Sequence, residues 1–158
     1  MATSPERFAQ ARRLSRGIIQ TAERVKADFG EIVSALDIPP PLGRAVLELD
    51  EPAPMRDLAE RLGCDRSYVT NLADGLEERG LIERVPGVDR RVKLLRLTPS
   101  GRDVRDRITE RIAERSMVLD RLTDEQCAAL GPLLDVLLAG DSPAVPTAPC
   151  FDEPGPPE

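Results

Sequence analysis

The chain has 158 residues, of which 41% are hydrophobic, 32% are charged and only 3% are aromatic. This length allows one domain with a substantial core, and the scarcity of aromatic rings argues against a stacking platform for single-stranded nucleic acid. The net charge of −6 argues against a protein that coats nucleic acid indiscriminately.

Residues that commonly carry chemistry are scarce. The chain has no histidine, and its three cysteines, Cys64, Cys127 and Cys150, lie far apart without a CxxC pair. We therefore expect no disulfide framework, no metal site and no cofactor. No nucleophile–base pair or phosphate-binding loop is present either, so an enzyme is not predicted. Without a long apolar run or an export signal, we expect a cytoplasmic protein that makes no contact with a membrane.

The N-terminal region predicts one long amphipathic helix over residues 4–36. Apolar side chains, among them Phe8, Ile18, Val25 and Ile32, recur at spacings of three and four, which is the period of an α-helix. A helix of this length is too long for so small a domain to cover. We therefore expect part of its apolar stripe to contact another subunit.

The centre of the chain predicts a helix-turn-helix. A short helix with apolar positions 42, 45, 46 and 49 lies between two proline-containing breaks, 37–41 and 50–54. The next helix covers residues 55–62 and ends at Gly63, where glycine suits a positive φ. Asp65 is expected to cap a second helix that runs to Arg79 and stops at Gly80. Its predicted buried face consists of Val69, Leu72, Ala73 and Leu76.

A hairpin with an arginine-rich tip follows. Two aliphatic segments, residues 81–85 and 92–97, are joined by a turn that begins with proline and glycine. Arg90 and Arg91 lie at the tip, and Lys93 and Arg96 lie on the second strand. Asp89 either orients an arginine or caps the turn through an Asx hydrogen bond. A helix-turn-helix with such a wing fits the grooves of duplex DNA.

The C-terminal region predicts two more helices. Thr98 and Pro99 suit the N-cap and first position of a helix whose apolar stripe continues through residues 104, 108, 112 and 119. Thr123 and Gln126 form a capping box for the last helix. The Gly131–Pro132 pair must kink or split that helix. Residues 141–158 are predicted to be a disordered, proline-rich tail.

The candidate DNA-binding residues lie on the second helix of the motif and on the wing. Residues 54–98 hold nine basic and eight acidic residues, whereas the remainder holds 13 and 20, so the basic edge is local. Alternatives are that Ser67 merely starts a helix, that Tyr68 folds back onto the preceding helix, and that the wing is only a solvated hairpin. The predicted contacts to base edges, phosphates and the minor groove are Arg66, Ser67, Tyr68, Thr70, Asn71, Asp89, Arg90, Arg91 and Lys93.

These motifs resemble the MarR (multiple antibiotic resistance regulator) family of winged helix-turn-helix transcriptional regulators. The matching segments are LAERLG at 58–63, LEERGL at 76–81, DxR at 89–91 and LTxxG at 97–101, and the resemblance covers roughly residues 5–140. Two positions depart from the family pattern. Pro54 replaces a hydroxyl N-cap, and Asn71 replaces a residue that is basic in many members.

The resemblance implies a mainly α fold with a small β-hairpin wing. Residues 4–36 and 99–140 would form a helical dimerisation region, and residues 37–98 would form the DNA-binding domain of a homodimer. The recognition helices would enter successive major grooves of a pseudo-palindromic operator, and the wings would enter the flanking minor grooves.

The expected function is a sequence-specific regulator of transcription that binds double-stranded DNA, acting as a repressor that responds to an unidentified small-molecule effector. One alternative is a regulator gated by thiol oxidation at Cys64 or Cys127, since some family members are thiol switches. The other is a winged-helix dimer that binds protein instead of DNA.

Overall fold

The computed structural model describes residues 4–139, and the predicted disordered tail lies outside them. The predicted fold class is confirmed, because the described chain is mainly helical with a small antiparallel sheet. The elements in chain order are α1 (Pro5–Ser34), α2 (Pro40–Leu47), β1 (Ala53–Pro54), α3 (Met55–Leu62), α4 (Arg66–Glu78), β2 (Ile82–Pro86), β3 (Lys93–Leu97), α5 (Pro99–Arg115), α6 (Met117–Arg121) and α7 (Asp124–Leu138).

The wing is the hairpin of β2 and β3, which belongs to a three-stranded sheet with strand order β1-β3-β2. In the hairpin, Ile82 lies opposite Leu97 and Pro86 lies opposite Lys93. The expectation that residues 50–54 form only a break is wrong, since Ala53 and Pro54 pair with β3. Two residues are too few to show a strand period, and β1 forms because β3 offers it a backbone edge.

The core lies between α2, α3, α4, the sheet and the first turns of α5. The predicted buried face of α4 is confirmed, and its four apolar residues are at most 6% exposed. The innermost side chains around them are Val46, Leu58, Leu95 and Ile108. In this arrangement the apolar face of α4 packs against the core, and the opposite face is exposed to solvent.

Two arginines join α2 to α3, because each binds a carbonyl at the C-terminal end of the other helix. The Nη2 of Arg44 on α2 donates to the carbonyl of Leu62 at 3.2 Å, and the Nη1 of Arg61 on α3 donates to the carbonyl of Glu48 at 2.7 Å. Carbonyls at helix C-termini lack partners within the helix, so these side chains satisfy them. Gly63 then turns the chain towards α4 with φ of 64°.

Thr98 joins the end of α4 to the start of α5. Its hydroxyl donates to the carbonyl of Gly80 at 2.6 Å and accepts from the amide of Gly101 at 3.1 Å. Its own amide donates to the carbonyl of Leu81 at 3.0 Å. A Cβ on Gly101 would lie 2.0 Å from that carbonyl oxygen. The LTxxG segment therefore has a steric and hydrogen-bonding basis.

The closing helices differ from the prediction in one way. The stripe through residue 119 is not one helix, because the chain breaks at Ser116, whose side chain caps α6. Asp28 of α1 accepts from the amide of Met117 at 2.9 Å, so a tertiary contact sets this break. In α7 the capping box of Thr123 and Gln126 is confirmed, and Pro132 lies inside a helix that is not split.

Long apolar faces of α1 and α7 remain exposed within residues 4–139. Only Ile32 and Val33 of α1 are buried, and no residue of α7 is. None of the described helices is long and apolar enough to cross a membrane. The exposed large apolar residues on these two helices are Phe8, Leu14, Ile18, Ile19, Val25, Leu133, Leu134, Val136, Leu137 and Leu138.

We expect Gly101→Ala to lower the free energy of unfolding by about 1–3 kcal/mol or more, because the added methyl overlaps a backbone carbonyl. Gly75→Ala is the matched control, since its Cβ would meet Leu42 at an ordinary 3.5 Å and alanine favours the helix by about 0.5–1 kcal/mol. Urea denaturation of the two variants measures the difference. Equal stability of the two would contradict the proposed role of the close approach.

Candidate nucleic-acid interface

The N-terminus of α4 is organised by Asp65. One carboxylate oxygen, Oδ1, accepts from the amide of Tyr68 at 2.8 Å and from the hydroxyl of Ser67 at 2.6 Å. The predicted N-cap is thus confirmed. The Ser67 hydroxyl and the Tyr68 amide together hold the pKa of this carboxyl below its usual range, because both stabilise its ionised form.

The predicted contact residues of α4 do not all face outward. Arg66, Ser67 and Asn71 are exposed, whereas Tyr68 and Thr70 are half-buried. Tyr68 packs against the hydrophobic core, which is the arrangement that the alternative interpretation anticipated. The hydroxyl of Thr70 donates back to the carbonyl of Arg66 at 3.0 Å. Of the predicted contact residues on α4, Arg66, Ser67 and Asn71 are therefore the exposed ones, and Tyr68 and Thr70 lie on its flanks.

The wing turn is fixed by three hydrogen bonds. The amide of Gly87 donates to the carbonyl of Val92 at 2.8 Å, and the amide of Val92 donates to the carbonyl of Asp89 at 2.9 Å. The Asp89 carboxylate accepts from the amide of Arg91 at 3.0 Å. Of the two roles considered for Asp89, the structure shows the turn cap. The arginine tip is therefore presented by an ordered turn.

The cations of the sheet fall into two groups. Arg90, Arg91 and Lys93 are exposed, and none of them has an acidic side chain within ion-pair distance in residues 4–139. Arg96, by contrast, lies 2.9 Å from Glu83 across the hairpin. Arg84 is likewise paired with acidic side chains. The positive charge available to a ligand is thus concentrated at the tip.

Arg84 links the wing to α4, and the sequence analysis did not identify it. Its Nη2 donates to the carboxylate of Asp74, and its Nη1 lies 3.1 Å from Glu77. Asp74 and Glu77 are three residues apart, so they lie on one face of the helix. That spacing, followed by an arginine on the next strand, is the signal that could have found this contact.

Cys64 directly precedes Asp65, the N-cap of α4. Cys64 is half-buried and packs against the core, as the interpretation of a filler residue predicts. Cys127 is half-buried on α7. Cys150 lies outside the described residues.

The comparisons with known proteins agree with this architecture. Residues 47–93 match the model of the MarR family. Apo MarR from E. coli superimposes with a TM-score of 0.65 at 24% identity, covering 79% of this chain and 96% of MarR. A cysteine-to-serine mutant of E. coli MarR in complex with operator DNA gives a TM-score of 0.70 at 24% identity, covering 83% and 97%. No curated protein sequence matches the chain significantly.

A third similar structure is the S. aureus MepR–DNA complex, with a TM-score of 0.68 at 22% identity over 78% of this chain and 93% of MepR. At these identities the structural matches show the fold, which is that of a winged helix-turn-helix protein. The family match spans the two central helices and the wing as far as Lys93. Over these residues the chain is similar to the MarR family, and its fold is that of the MarR and MepR structures.

We expect Asp65→Ala to lower the melting temperature by several degrees, because the first turn of α4 loses its cap. Asp65→Asn is the control and should melt near the wild type, since asparagine caps equally well. The pKa of Asp65 is lowered in the folded state, so its contribution is present above about pH 4 and is lost only as the pH falls below that. Thermal melts at pH 7 and pH 4 that show no deficit in the alanine variant would contradict this role.

Proposed function

We propose that the chain is a transcriptional regulator that binds double-stranded DNA as a homodimer. The observation that carries the proposal is the set of exposed cations without ion-pair partners at the N-terminus of α4 and at the wing. They are displayed by a fold that holds DNA in the MarR and MepR complexes. The residues are Arg66, Arg90, Arg91 and Lys93.

Local charge supports specific binding over indiscriminate binding. The chain carries a net charge of −6, so most of its surface repels phosphate. On the wing, Arg84 and Arg96 are already neutralised by carboxylates. The cations left unpaired at the N-terminus of α4 and at the wing tip contact DNA together when α4 and the wing both face the duplex. In this arrangement α4 enters a major groove and the wing tip enters the neighbouring minor groove.

The exposed apolar faces of α1 and α7 support a homodimer in which a second copy of the chain covers them. Residues 5–19 of α1 hold four arginines and one glutamate, whereas α7 holds three acidic residues and no basic one. Packing α1 of one subunit on α7 of the other would bury both apolar faces and bring opposite charges together. Residues 4–36 and 99–140 then form the dimerisation region, and residues 37–98 form the DNA-binding domain.

The proposal extends to repression and to release by a small-molecule effector, as the family resemblance implies. Two recognition helices can enter one face of the duplex only when the half-sites lie about one helical turn, roughly 10 bp, apart. An effector that changes the spacing between the subunits would therefore weaken binding. No effector is identified from the residues described.

We expect salt-sensitive binding to DNA upstream of the chain's own gene, measured by fluorescence anisotropy. The Arg90→Ala/Arg91→Ala variant should bind more than about tenfold more weakly and lose roughly 0.9 in salt slope for each phosphate contact removed. Arg96→Ala is the matched control, because Arg96 is already paired with Glu83, and it should bind nearly as the wild type does.

Absence of binding to any genomic fragment at sub-micromolar protein would contradict DNA recognition. It would favour the alternative of a winged-helix dimer that binds protein. Equal loss of affinity in the control variant would instead contradict the specific role of the tip. A wild type whose DNA affinity is unchanged by peroxide would exclude the thiol-gated alternative.

We expect Ile19→Asp and Leu137→Asp to convert the homodimer into monomers, because each places a carboxylate in an apolar interface. Both positions are exposed in the single chain, at 63% and 62%. Val88→Asp at the exposed wing tip is the control and should remain dimeric. Sedimentation velocity at micromolar protein distinguishes the species. A monomeric wild type, or dimeric variants, would contradict the proposed interface.

A further inference from the structure

The hydroxyl of Ser67 has only one possible direction for its proton. Its oxygen lies 2.6 Å from Oδ1 of Asp65, and the carboxyl of Asp65 stays ionised because its pKa is lowered. An ionised carboxylate only accepts hydrogen bonds. The serine must therefore donate to Asp65, and its exposed side presents lone pairs.

The acidic cap presents acceptors as well. The Asp65 carboxylate accepts from the Ser67 hydroxyl and the Tyr68 amide through Oδ1 and also interacts with the Ser67 amide, and the residue is exposed. An exposed anion therefore lies beside the Ser67 hydroxyl. A phosphate offers only acceptor oxygens and negative charge, so this pair is unsuited to the DNA backbone and suited to a hydrogen-bond donor.

The neighbouring side chain has the opposite polarity. Arg66 lies between the two acceptor residues in the chain, is exposed, and has no ion-pair partner in residues 4–139. Its guanidinium only donates, and its fork can donate two parallel hydrogen bonds. The first turn of α4 thus offers a pair of donors next to a pair of acceptors.

One base pair has the complementary pattern in the major groove. Guanine presents two acceptors, N7 and O6, and its partner cytosine presents one donor, the N4 amino group. In an A·T pair the donor at adenine N6 lies between the acceptors N7 and O4. An acceptor side chain placed beside either N7 or O4 of an A·T pair would therefore face another acceptor. The side chains at the start of α4 therefore match a G·C pair and mismatch an A·T pair.

We propose that the first turn of α4 reads one G·C base pair in each half-site. Arg66 donates to N7 and O6 of guanine, and the hydroxyl oxygen of Ser67, whose proton is held by Asp65, accepts from the N4 amino group of cytosine. Ser67 is thereby a specificity-determining residue for cytosine and not a phosphate contact. This inference rests on the proposed function and names the base pair that its recognition helix selects.

The test begins with selection of bound sequences from a random duplex library by the full chain. We expect a G·C pair at one fixed position of each half-site. In a probe of the selected sequence, that cytosine is then replaced by a 2-pyrimidinone nucleotide, which lacks the 4-amino group. The wild type should bind this probe about tenfold more weakly than the natural one.

Variants assign the discrimination to a residue. Ser67→Ala should bind the natural and substituted probes with nearly equal affinity, because the acceptor for the amino group is lost. Lys93→Ala is the matched control, since a backbone contact on the wing weakens both probes equally and leaves their ratio unchanged. Circular dichroism melts check that both variants fold, and the probe comparison with the wild type needs no variant.

The outcomes separate this inference from the function on which it rests. A wild type that binds no duplex overturns both. A wild type that selects an operator without a fixed G·C pair in each half-site, or that binds both probes equally, overturns the reading of G·C alone. Full discrimination retained by Ser67→Ala also overturns the role of that serine.

Discussion

The hydrogen bonds of Thr98 are the constraint on which the geometry of the molecule depends. This one residue contacts the end of α4 at Gly80, the start of the hairpin at Leu81 and the start of α5 at Gly101. The absence of a side chain on Gly101 allows α5 to begin against a backbone carbonyl. The recognition helix, the wing and the closing helices therefore leave a common point in fixed directions. Arg84 adds a second link between α4 and the hairpin.

Ion pairing determines which charges are available to a ligand. Counting arginines along the hairpin overestimates its positive charge, because Arg84 is bound by the acidic face of α4 and Arg96 by Glu83. On α4 and the wing, the cations without ion-pair partners in residues 4–139 include Arg66 at the N-terminus of the helix and Arg90, Arg91 and Lys93 at the wing. In a chain with a net charge of −6, this placement makes the approach of DNA dependent on orientation. An acidic protein can therefore present a basic edge without being generally attractive to nucleic acid.

Features that depend on local sequence could be predicted, and those that depend on distant contacts could not. The caps at Asp65, Thr98 and Thr123 and the buried face of α4 follow from residues within a few positions of one another. The strand at residues 53–54 exists only because β3 lies beside it, and the break at Ser116 is stabilised by Asp28, which lies far away in the chain. The candidate site shows the same division. The exposure of Arg66 and Asn71 follows from helical periodicity, whereas the inward packing of Tyr68 depends on the core.

The helix-turn-helix and the wing are packed within one chain, whereas the apolar faces of α1 and α7 remain exposed, and this difference bears on regulation. The helix-turn-helix and the wing are held by buried side chains and by the contacts of Thr98 and Arg84, so the position of the first turn of α4 relative to the wing tip is set within one chain. The apolar faces of α1 and α7 are not satisfied within the described chain. In the proposed homodimer, a second copy covers these faces. The packing of the two copies thereby sets the distance between their two DNA-binding domains. A signal that acts on the packing of α1 and α7 can then change operator affinity without altering any residue that contacts a base, because affinity requires both domains to fit one face of the duplex at once.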